Sequence, residues 1–430
     1  SRAIMHDSKP TLKRLAHYET PCFDTMLAGF ILQSGRSAYG LRELITGYLD
    51  VAPSSSEELA SGIFLLESAL RERLEKESQT SVLHNIEQPL VPILAEIENE
   101  GIAASPEFLQ EFSRTLQVEI DRLTASIHAL AGREFNIASP KQLGEVLFEE
   151  MSIPGPKKTK TGWATGAEIL QTLAPSHPIC AEVLNWREYT KLKSTYADAL
   201  PRMVRDDGRI HTTYNQAGAA TGRLSSNDPN LQNIPIRTEL GRHIRRAFIA
   251  APGYKLLSLD YSQIELRVLA HMAKDEALVQ AFSEGEDVHR VTASLMYGVA
   301  KDQVTREMRG YSKLLNYAVL YGVTDYGLAN QLGGDFSVSE ARALIQQYNE
   351  RFPAIKGFTD SIIAEARSKG FTTTLCGRRR YFPDIHAANR NERMYAERQA
   401  MNAPMQGTAA DMMKLAMIST RKRLEGAKSR

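Results

Sequence analysis

In Arg306-Glu307-Met308-Arg309-Gly310-Tyr311-Ser312-Lys313-Leu314-Leu315-Asn316-Tyr317-Ala318-Val319-Leu320-Tyr321-Gly322, the residues Arg309, Lys313, Tyr317 and Tyr321 recur at every fourth position. On a helix that spacing predicts one slowly drifting stripe. Two cations followed by two aromatic rings suit a ligand with a polyphosphate at one end and a flat base at the other. A nucleoside triphosphate is such a ligand. Taken alone the stripe is ambiguous, because basic and aromatic residues on a helix more often form a solvated or half-buried face.

A second segment upstream changes the balance. Tyr254-Lys255-Leu256-Leu257-Ser258-Leu259-Asp260 is a short apolar run ending in a carboxylate, followed by Tyr261-Ser262-Gln263-Ile264-Glu265-Leu266-Arg267. The run reads as a buried strand, continued into a core element by Ile264, Leu266 and Val268 to Ala270. An Asp at a strand end commonly caps the next turn. It also suits a hard oxygen ligand that holds magnesium against substrate phosphates, and the phosphate-binding stripe downstream favours that use.

These residues carry a family resemblance. Asp260 to Arg267 resembles motif A, and Arg309 to Gly322 motif B, of the family A DNA polymerases, the bacterial DNA polymerase I group. Thr221 to Ser226, with Asn227 to Pro235, is similar to a further block of that family, as is Ala396 to Asp411. The blocks stand in the family's order, and the match runs from about Phe23 to about Met417. The resemblance implies a multidomain α+β fold: a right-hand polymerase with an antiparallel palm sheet, a helical thumb and fingers, and a remnant of an exonuclease-like α/β domain. Residues 1–79 would be that remnant, 80–205 the thumb, 206–284 the first part of the palm, 285–383 the fingers and 384–430 the rest of the palm. Helical patterns at Glu57 to Lys76, Ile86 to Asn99 and Pro106 to Gly132 agree with this plan, and Pro154 to Gly162 reads as a Pro/Gly/Lys loop at the thumb tip.

The implied reaction is attack of a primer 3′-hydroxyl on the α-phosphorus of a deoxynucleoside triphosphate, assisted by two magnesium ions. By resemblance Asp260 and the backbone carbonyl of Tyr261 are metal ligands. Arg309, Lys313 and His289 hold phosphates, with Lys313 the general acid for pyrophosphate. Tyr317 stacks beside the sugar and base, Tyr321 sits under the templating position, and Glu265 crowds the sugar C2′. Gln263, Arg223, Gln232, Asn233, Arg398, Asn402 and Gln406 match positions that contact primer–template in the minor groove, where every base pair presents acceptors. Lys191, Lys193, Ser194 and Thr195 match a segment that contacts backbone phosphates without reading sequence. For His289 the plain alternative is a structural histidine, and for Asn233 it is a turn or helix cap.

Departures from the family pattern are also legible. Ala318 stands where much of the family has Gly, and Ala217-Gly218-Ala219-Ala220 replaces more β-branched residues. Thr11 and the Ile63 to Leu66 stretch take places where active proofreading domains carry Asp, so the exonuclease-like part reads as an inactive scaffold. The family's His-Asp-Glu strand, source of a second metal-binding Asp, would follow Arg430, and no such tripeptide occurs in the sequence. The chain starts at Ser1 without Met and reads as a fragment or processed product.

Composition is that of an ordinary globular protein, with 43% hydrophobic and 24% charged residues over 430 positions. The net charge of +1 hides local basic clusters at Arg237 to Arg246, Lys157 to Lys160 and Arg378 to Arg380, which together suggest a phosphate-tracking surface. Three scattered cysteines exclude a zinc site or disulfide framework and suit a reducing compartment. No apolar run approaches membrane-spanning length and no signal-peptide pattern is present. The expected setting is the cytoplasm of a bacterium or phage-infected cell, as a monomer on primer–template DNA, completed by a further C-terminal segment. Two other classes stay open: a non-catalytic primer–template binding protein, and a single-subunit RNA polymerase. Glu265 argues against the second, because RNA-making relatives carry a small residue there.

Overall fold

The computed structural model describes residues 3–15, 22–155, 158, 162–236, 238–332 and 336–427. Lys157, Lys160 and Arg237 of the basic clusters lie outside the described residues. The fold is mostly helical α+β with small sheets. The chain divides into two compact units, one of Ser1–Ile97, Tyr214–Ser225 and Leu259–Arg430, the other of Glu98–Thr213 and Ser226–Ser258. Among the described residues no helix is long and apolar enough to cross a membrane.

The second unit is organised by the helix Pro106–Ala131. Ser105 caps it by accepting from the Phe108 amide, Pro106 occupies the first turn, and Gly132 ends it at φ 74°. Leu109, Phe112, Leu116, Ile120, Leu123 and Ile127 fall at spacings of three and four, so they share one buried stripe. The helix Pro178–Leu192 packs on it. Two apolar clusters result, one around Leu116, Leu192 and Leu200, the other around Ile127, Leu147 and Val183. Ile102–Ala103 pairs antiparallel with Arg209–Ile210.

In the first unit, Ala3–Met5 pairs in parallel with Cys22–Asp24. Asp24 caps the helix Thr25–Leu32, accepting from Met26 and Leu27 amides, and also accepts from the Ser8 amide and hydroxyl. The charged pattern near Glu57 is the helix Ser56–Lys76, opened by a reciprocal Ser55–Glu58 capping box. Its Leu66, Leu70 and Leu74 are buried against Phe23, Leu27 and Leu44, whereas Phe64 and Leu65 face solvent. The helices Val288–Tyr297, Arg306–Tyr321, Asp325–Leu332, Val338–Arg351 and Pro353–Lys369 enclose a separate core around Leu315, Leu328, Tyr348 and Ile355. Ala318 is buried in it.

Two expectations are corrected. Tyr254 to Leu259 is neither a strand nor buried: Leu257 and Leu259 are 83% and 84% exposed. The run has strand composition, but among the described residues no strand hydrogen-bonds to it, and an unpaired strand has no ladder to hold it extended. The antiparallel sheet expected of the palm is correspondingly reduced to short pairs such as Phe371–Thr373 with Arg379–Tyr381. The core continuation does hold, as the helix Ile264–Ala273 with Leu266, Val268, Leu269 and Ala270 buried. The second correction concerns Arg378, expected on a phosphate-tracking surface. It is 3% exposed and donates from Nη2 to Glu87 Oε1 at 2.5 Å and from Nε to Asp411 Oδ1 at 2.8 Å. Lys414 Nζ donates to the same Glu87 oxygen at 2.6 Å, so two buried cations balance two buried anions. Triplets of arginine do not reveal which member meets an internal carboxylate.

Burial acts to raise the Glu87 pKa, but Lys414 and Arg378 outweigh it and hold the carboxyl at about 2 against an ordinary 4.5. The unfolded chain then takes up this proton before the folded one does. The stability is present in full above about pH 4.5 and is lost as the pH falls toward about 2, a swing of about 3 kcal/mol. At neutral pH, Arg378→Met leaves buried Asp411 without its cation and Glu87 with Lys414 alone, and should cost about 3–5 kcal/mol. Urea denaturation of the two proteins at pH 7 measures this, and a loss below about 1 kcal/mol would show the charges to be solvated.

Candidate nucleotide and primer–template site

The stripe helix forms as its spacing requires. Thr305 caps Arg306–Tyr321 by accepting from the Met308 amide, and Gly322, at φ 62°, ends it. Leu315, Asn316, Ala318 and Leu320 are buried, while Lys313 is exposed and makes no ion pair among the described residues. Tyr317 and Tyr321 stack with ring centroids 6.1 Å apart and planes 16° from parallel. The Tyr317 hydroxyl has no hydrogen-bond partner among the described residues. Burial, with the Glu265 charge nearby, pushes the Tyr317 phenol above its usual range, so it remains a neutral donor.

His289 is the second residue of the helix Val288–Tyr297, whose cap Asp287 accepts from the His289 and Arg290 amides. Its ring centroid is 5.8 Å from that of Tyr317, and its Nε2 is 3.3 Å from the Gln263 side chain. Burial lowers the imidazole pKa to about 4; Asp287 opposes this and Arg309 and Lys313 reinforce it. Arg309 donates from Nε to Asp287 Oδ2. Although burial acts to raise it, the Asp287 carboxyl is held below its ordinary range by the Arg309 hydrogen bond and charge and by the two amides it caps. A cation expected to hold phosphate is therefore parked on the carboxylate that caps the neighbouring helix Val288–Tyr297.

Glu265 is a fixed group. It is 7% exposed, accepts from Tyr321 Oη at 2.6 Å, and is paired with Arg223. Burial and the Glu265 charge push the Tyr321 phenol well above its usual range, so the proton stays on Tyr321. Asn402, on the helix Arg390–Arg423, donates to the Tyr321 carbonyl at 3.3 Å, with its Oδ1 buried and without a partner. Arg398 and Gln406 are half-buried on the same helix, four residues either side of Asn402, and the Arg398 guanidinium lies 5.9 Å from the Tyr395 ring. These placements unite Arg223, Gln263, Glu265, His289, Tyr317, Tyr321 and Asn402 in one contact network within the first unit.

Lys191, Lys193, Ser194, Thr195, Gln232 and Asn233 belong to the second unit. Lys191, Ser194 and Thr195 are exposed at the end of Pro178–Leu192 and the turn that follows. Lys193 is committed to Asp198 at 2.8 Å, and Ser194 donates to the Thr190 carbonyl. Gln232 and Asn233 are exposed in a short 3₁₀ turn, where Gln232 Oε1 accepts from the Ser226 amide and the Asn233 carbonyl accepts from Tyr196 Oη.

Asp260 and Tyr261 are exposed just before the helix Ile264–Ala273. Asp260 forms no ion pair or hydrogen bond among the described residues, which leaves its carboxylate available. Other carboxylates that might join it are engaged: Glu265 as above, and Asp411, fully buried, by Arg378 and Thr374. No group of three or more His, Cys, Asp or Glu side chains among the described residues could hold a metal ion. One free carboxylate does not make a two-ion site.

Sequence reasoning missed two features. Asn316 is a buried partner of His289, which pattern alone reads as ordinary helix interior. Gln263 has φ 53° and ψ 38°, a left-handed conformation at the start of Ile264–Ala273 that no local signal announced.

The family model for DNA polymerase family A matches residues 106–430. DNA polymerase I of Caldicellulosiruptor bescii is 42% identical over 98% of this chain and 51% of its own length. DNA polymerase I of Geobacillus stearothermophilus is 46% identical over 86% of this chain and 43% of its own. A solved structure, the POL domain of Pol1 from M. smegmatis in complex with DNA primer-template and dNTP, superposes with TM-score 0.93 at 40% identity, covering 100% of this chain and 77% of that one. The chain belongs to DNA polymerase family A. It spans about half the length of the curated relatives it matches. Family members are in general magnesium-dependent.

The left-handed Gln263 costs about 1–2 kcal/mol, and glycine would relieve it at about 0.5–1 kcal/mol of extra unfolded-state entropy. Gln263→Gly should therefore be more stable by about 0.5–1 kcal/mol in thermal melts while binding deoxynucleotide more weakly, having lost the contact with His289. A variant that is both less stable and equally avid would contradict the strain reading.

Proposed function

We propose that this chain is the part of a template-directed DNA polymerase that binds primer–template and selects the incoming deoxynucleoside triphosphate. The observation that carries this reading is the locked Glu265. A buried carboxylate held by both Arg223 and Tyr321 stands beside the stacked Tyr317–Tyr321 pair, on the helix that also presents Lys313. A carboxylate fixed in that way cannot swing aside, so a 2′-hydroxyl on the bound sugar meets both bulk and charge. In this reading Lys313, Arg309 and His289 receive the triphosphate. Arg309 exchanges Asp287 for phosphate oxygens, which cost nothing in charge balance because each is anionic. Lys313 then stands ready to give a proton to departing pyrophosphate. Arg223, Gln232, Asn233, Arg398, Asn402 and Gln406 contact the minor groove, and Lys191, Lys193, Ser194 and Thr195 the backbone.

Asp260 and the Tyr261 carbonyl are the residues we assign to magnesium. Because Glu265 and Asp411 are engaged and no group of three or more ligating side chains occurs among the described residues, residues 1–430 should bind primer–template and nucleotide but extend the primer little until another carboxylate is supplied beside Asp260. Asp24 spends its oxygens on the Ser8, Met26 and Leu27 groups, which supports a scaffold role for the exonuclease-like part. Such a protein would work on the chromosome in the cytoplasm.

Nucleotide binding to the chain on primer–template tests the proposal without requiring turnover. Complementary deoxynucleotide should bind at least tenfold more tightly than the matching ribonucleotide, and Glu265→Ala should erase most of that preference. Equal binding of both sugars by the unaltered protein would sink the gate. The unengaged Tyr317 hydroxyl yields a second expectation. In an extension-competent protein containing this chain, dideoxynucleotides should be incorporated efficiently. Tyr317→Phe should reduce their use about ten- to a hundredfold, the equivalent of roughly 1–3 kcal/mol for a hydrogen bond in a desolvated site. Competition between dideoxy- and deoxynucleotides on one template reads the ratio directly.

A further inference from the structure

His289 is held from behind by a chain of hydrogen bonds whose directions can be worked out from one end. Thr292 Oγ1 donates to the Val288 carbonyl at 2.8 Å, the usual back-bond of a helical threonine, and this uses its only proton. Toward its other neighbour Thr292 can then only accept. The Asn316 amide nitrogen lies 3.1 Å from Thr292 Oγ1 and donates to it. The same nitrogen is 3.0 Å from His289 Nδ1, and its second proton points there. Asn316 Oδ1 accepts from Tyr348 Oη at 3.0 Å and also lies 3.3 Å from Thr292 Oγ1. Reversing the Asn316 carboxamide would put its oxygen, in place of its nitrogen, at the shorter 3.1 Å approach to a threonine oxygen whose proton is spent on the Val288 carbonyl, so the network favours the nitrogen toward Thr292 and His289. Thr292, Asn316 and Tyr348 are all essentially buried, and water cannot substitute for a lost partner.

We propose that Asn316 is a positioning residue that locks His289 in its neutral Nε2–H tautomer, so that the ring offers an aimed hydrogen-bond donor, without charge, to a nucleotide phosphate. The inference rests on the nucleotide-binding reading of the site. Nδ1 accepts from Asn316 and so carries no proton. Nε2 therefore carries one and faces the Gln263 carboxamide, whose nitrogen is the atom placed 3.3 Å away; a protonated Nε2 requires that carboxamide to be turned so that its oxygen accepts. The groups facing the ring from each packed element agree. Asp287 on its own helix favours protonation, but burial and the cations Arg309 and Lys313 on the facing helix oppose it, and the pKa is lowered to about 4. The phosphate charge is then met by Arg309 and Lys313 alone, and His289 supplies direction. Its contribution should be constant across the pH range in which an ordinary histidine titrates.

The test is two-bond proton–nitrogen correlation spectroscopy of the full chain labelled with ¹⁵N-histidine, the His289 signals being those missing from His289→Gln. The expected pattern is an unprotonated Nδ1 and a protonated Nε2, unchanged from pH 6 to pH 8. In Asn316→Asp the new carboxylate accepts from Nδ1, so the pattern should change to Nδ1–H or to the doubly protonated ring. Deoxynucleotide affinity should then drop about tenfold and become pH-dependent between pH 6 and 8. An Nδ1–H ring or a titrating ring in the unaltered protein overturns the proposal, as does an Asn316→Asp spectrum identical to it. Should Asn316→Asp fail to fold, Thr292→Val decides, because loss of the fixed acceptor should release the tautomer. The spectra need no nucleotide. A chain that shows the tautomer yet binds no deoxynucleotide leaves this assignment standing and defeats the proposed function, whereas a chain that binds it with an Nδ1–H ring does the reverse.

Discussion

The buried pairing of Glu87, Arg378, Asp411 and Lys414 is the constraint on which the first unit depends. Glu87 ends the turn before the helix Gln88–Glu100, Arg378 leads into the strand Arg379–Tyr381, and Asp411 and Lys414 lie on the helix Arg390–Arg423. Gln216 Nε2 joins by donating to Glu87 at 2.8 Å. A cluster like this gains little net stability over an apolar core, because desolvating four charges is expensive. Its effect is on register. Each member is intolerable unless the others are in place, so sliding the long helix by even one residue would strand a charge in the interior.

That register reaches the candidate site through short links. Gly222, at φ 81°, lies so close to Arg378 that an added Cβ would come within 3.0 Å of Nε. The next residue, Arg223, pairs with Glu265, and Glu265 accepts from Tyr321. On the other side, the helix that carries Asp411 also carries Asn402, which donates to the Tyr321 carbonyl. The end of the stripe helix is thus held by two paths that start from the same ion cluster. If Glu265 is the sugar gate proposed above, it needs this kind of support, because a gate that yields by an ångström rejects nothing.

The cations around the site differ in how they are kept. Lys313 has no ion pair among the described residues, Arg309 rests on Asp287, and His289 is neutral and braced from the interior by Asn316. Together they leave the pocket without three mutually repelling positive charges in close quarters. An arriving polyphosphate would then meet one ready cation, one released from a weak surface pair and one aimed donor.

The stripe of Arg309, Lys313, Tyr317 and Tyr321 was legible because helix periodicity is a property of local sequence, and so were the helical patterns at Glu57 to Lys76 and Pro106 to Gly132 and the motif blocks that carry the family likeness. Strand pairing is not local. Tyr254 to Leu259 has every compositional mark of a buried strand, and only the absence of a hydrogen-bonded neighbour among the described residues leaves it exposed. Arg378, Arg379 and Arg380 look alike in sequence, yet one is sealed against Asp411, 33 positions away, and Glu87, 291 positions away. The same holds for the hold on Glu265, for the bracing of His289 by Asn316 and for the left-handed turn at Gln263. Residue types and their spacing determined the family, the helices and which side chains could do chemistry. Partners, protonation and conformation were decided by tertiary structure, since each depends on which distant groups share the same buried volume.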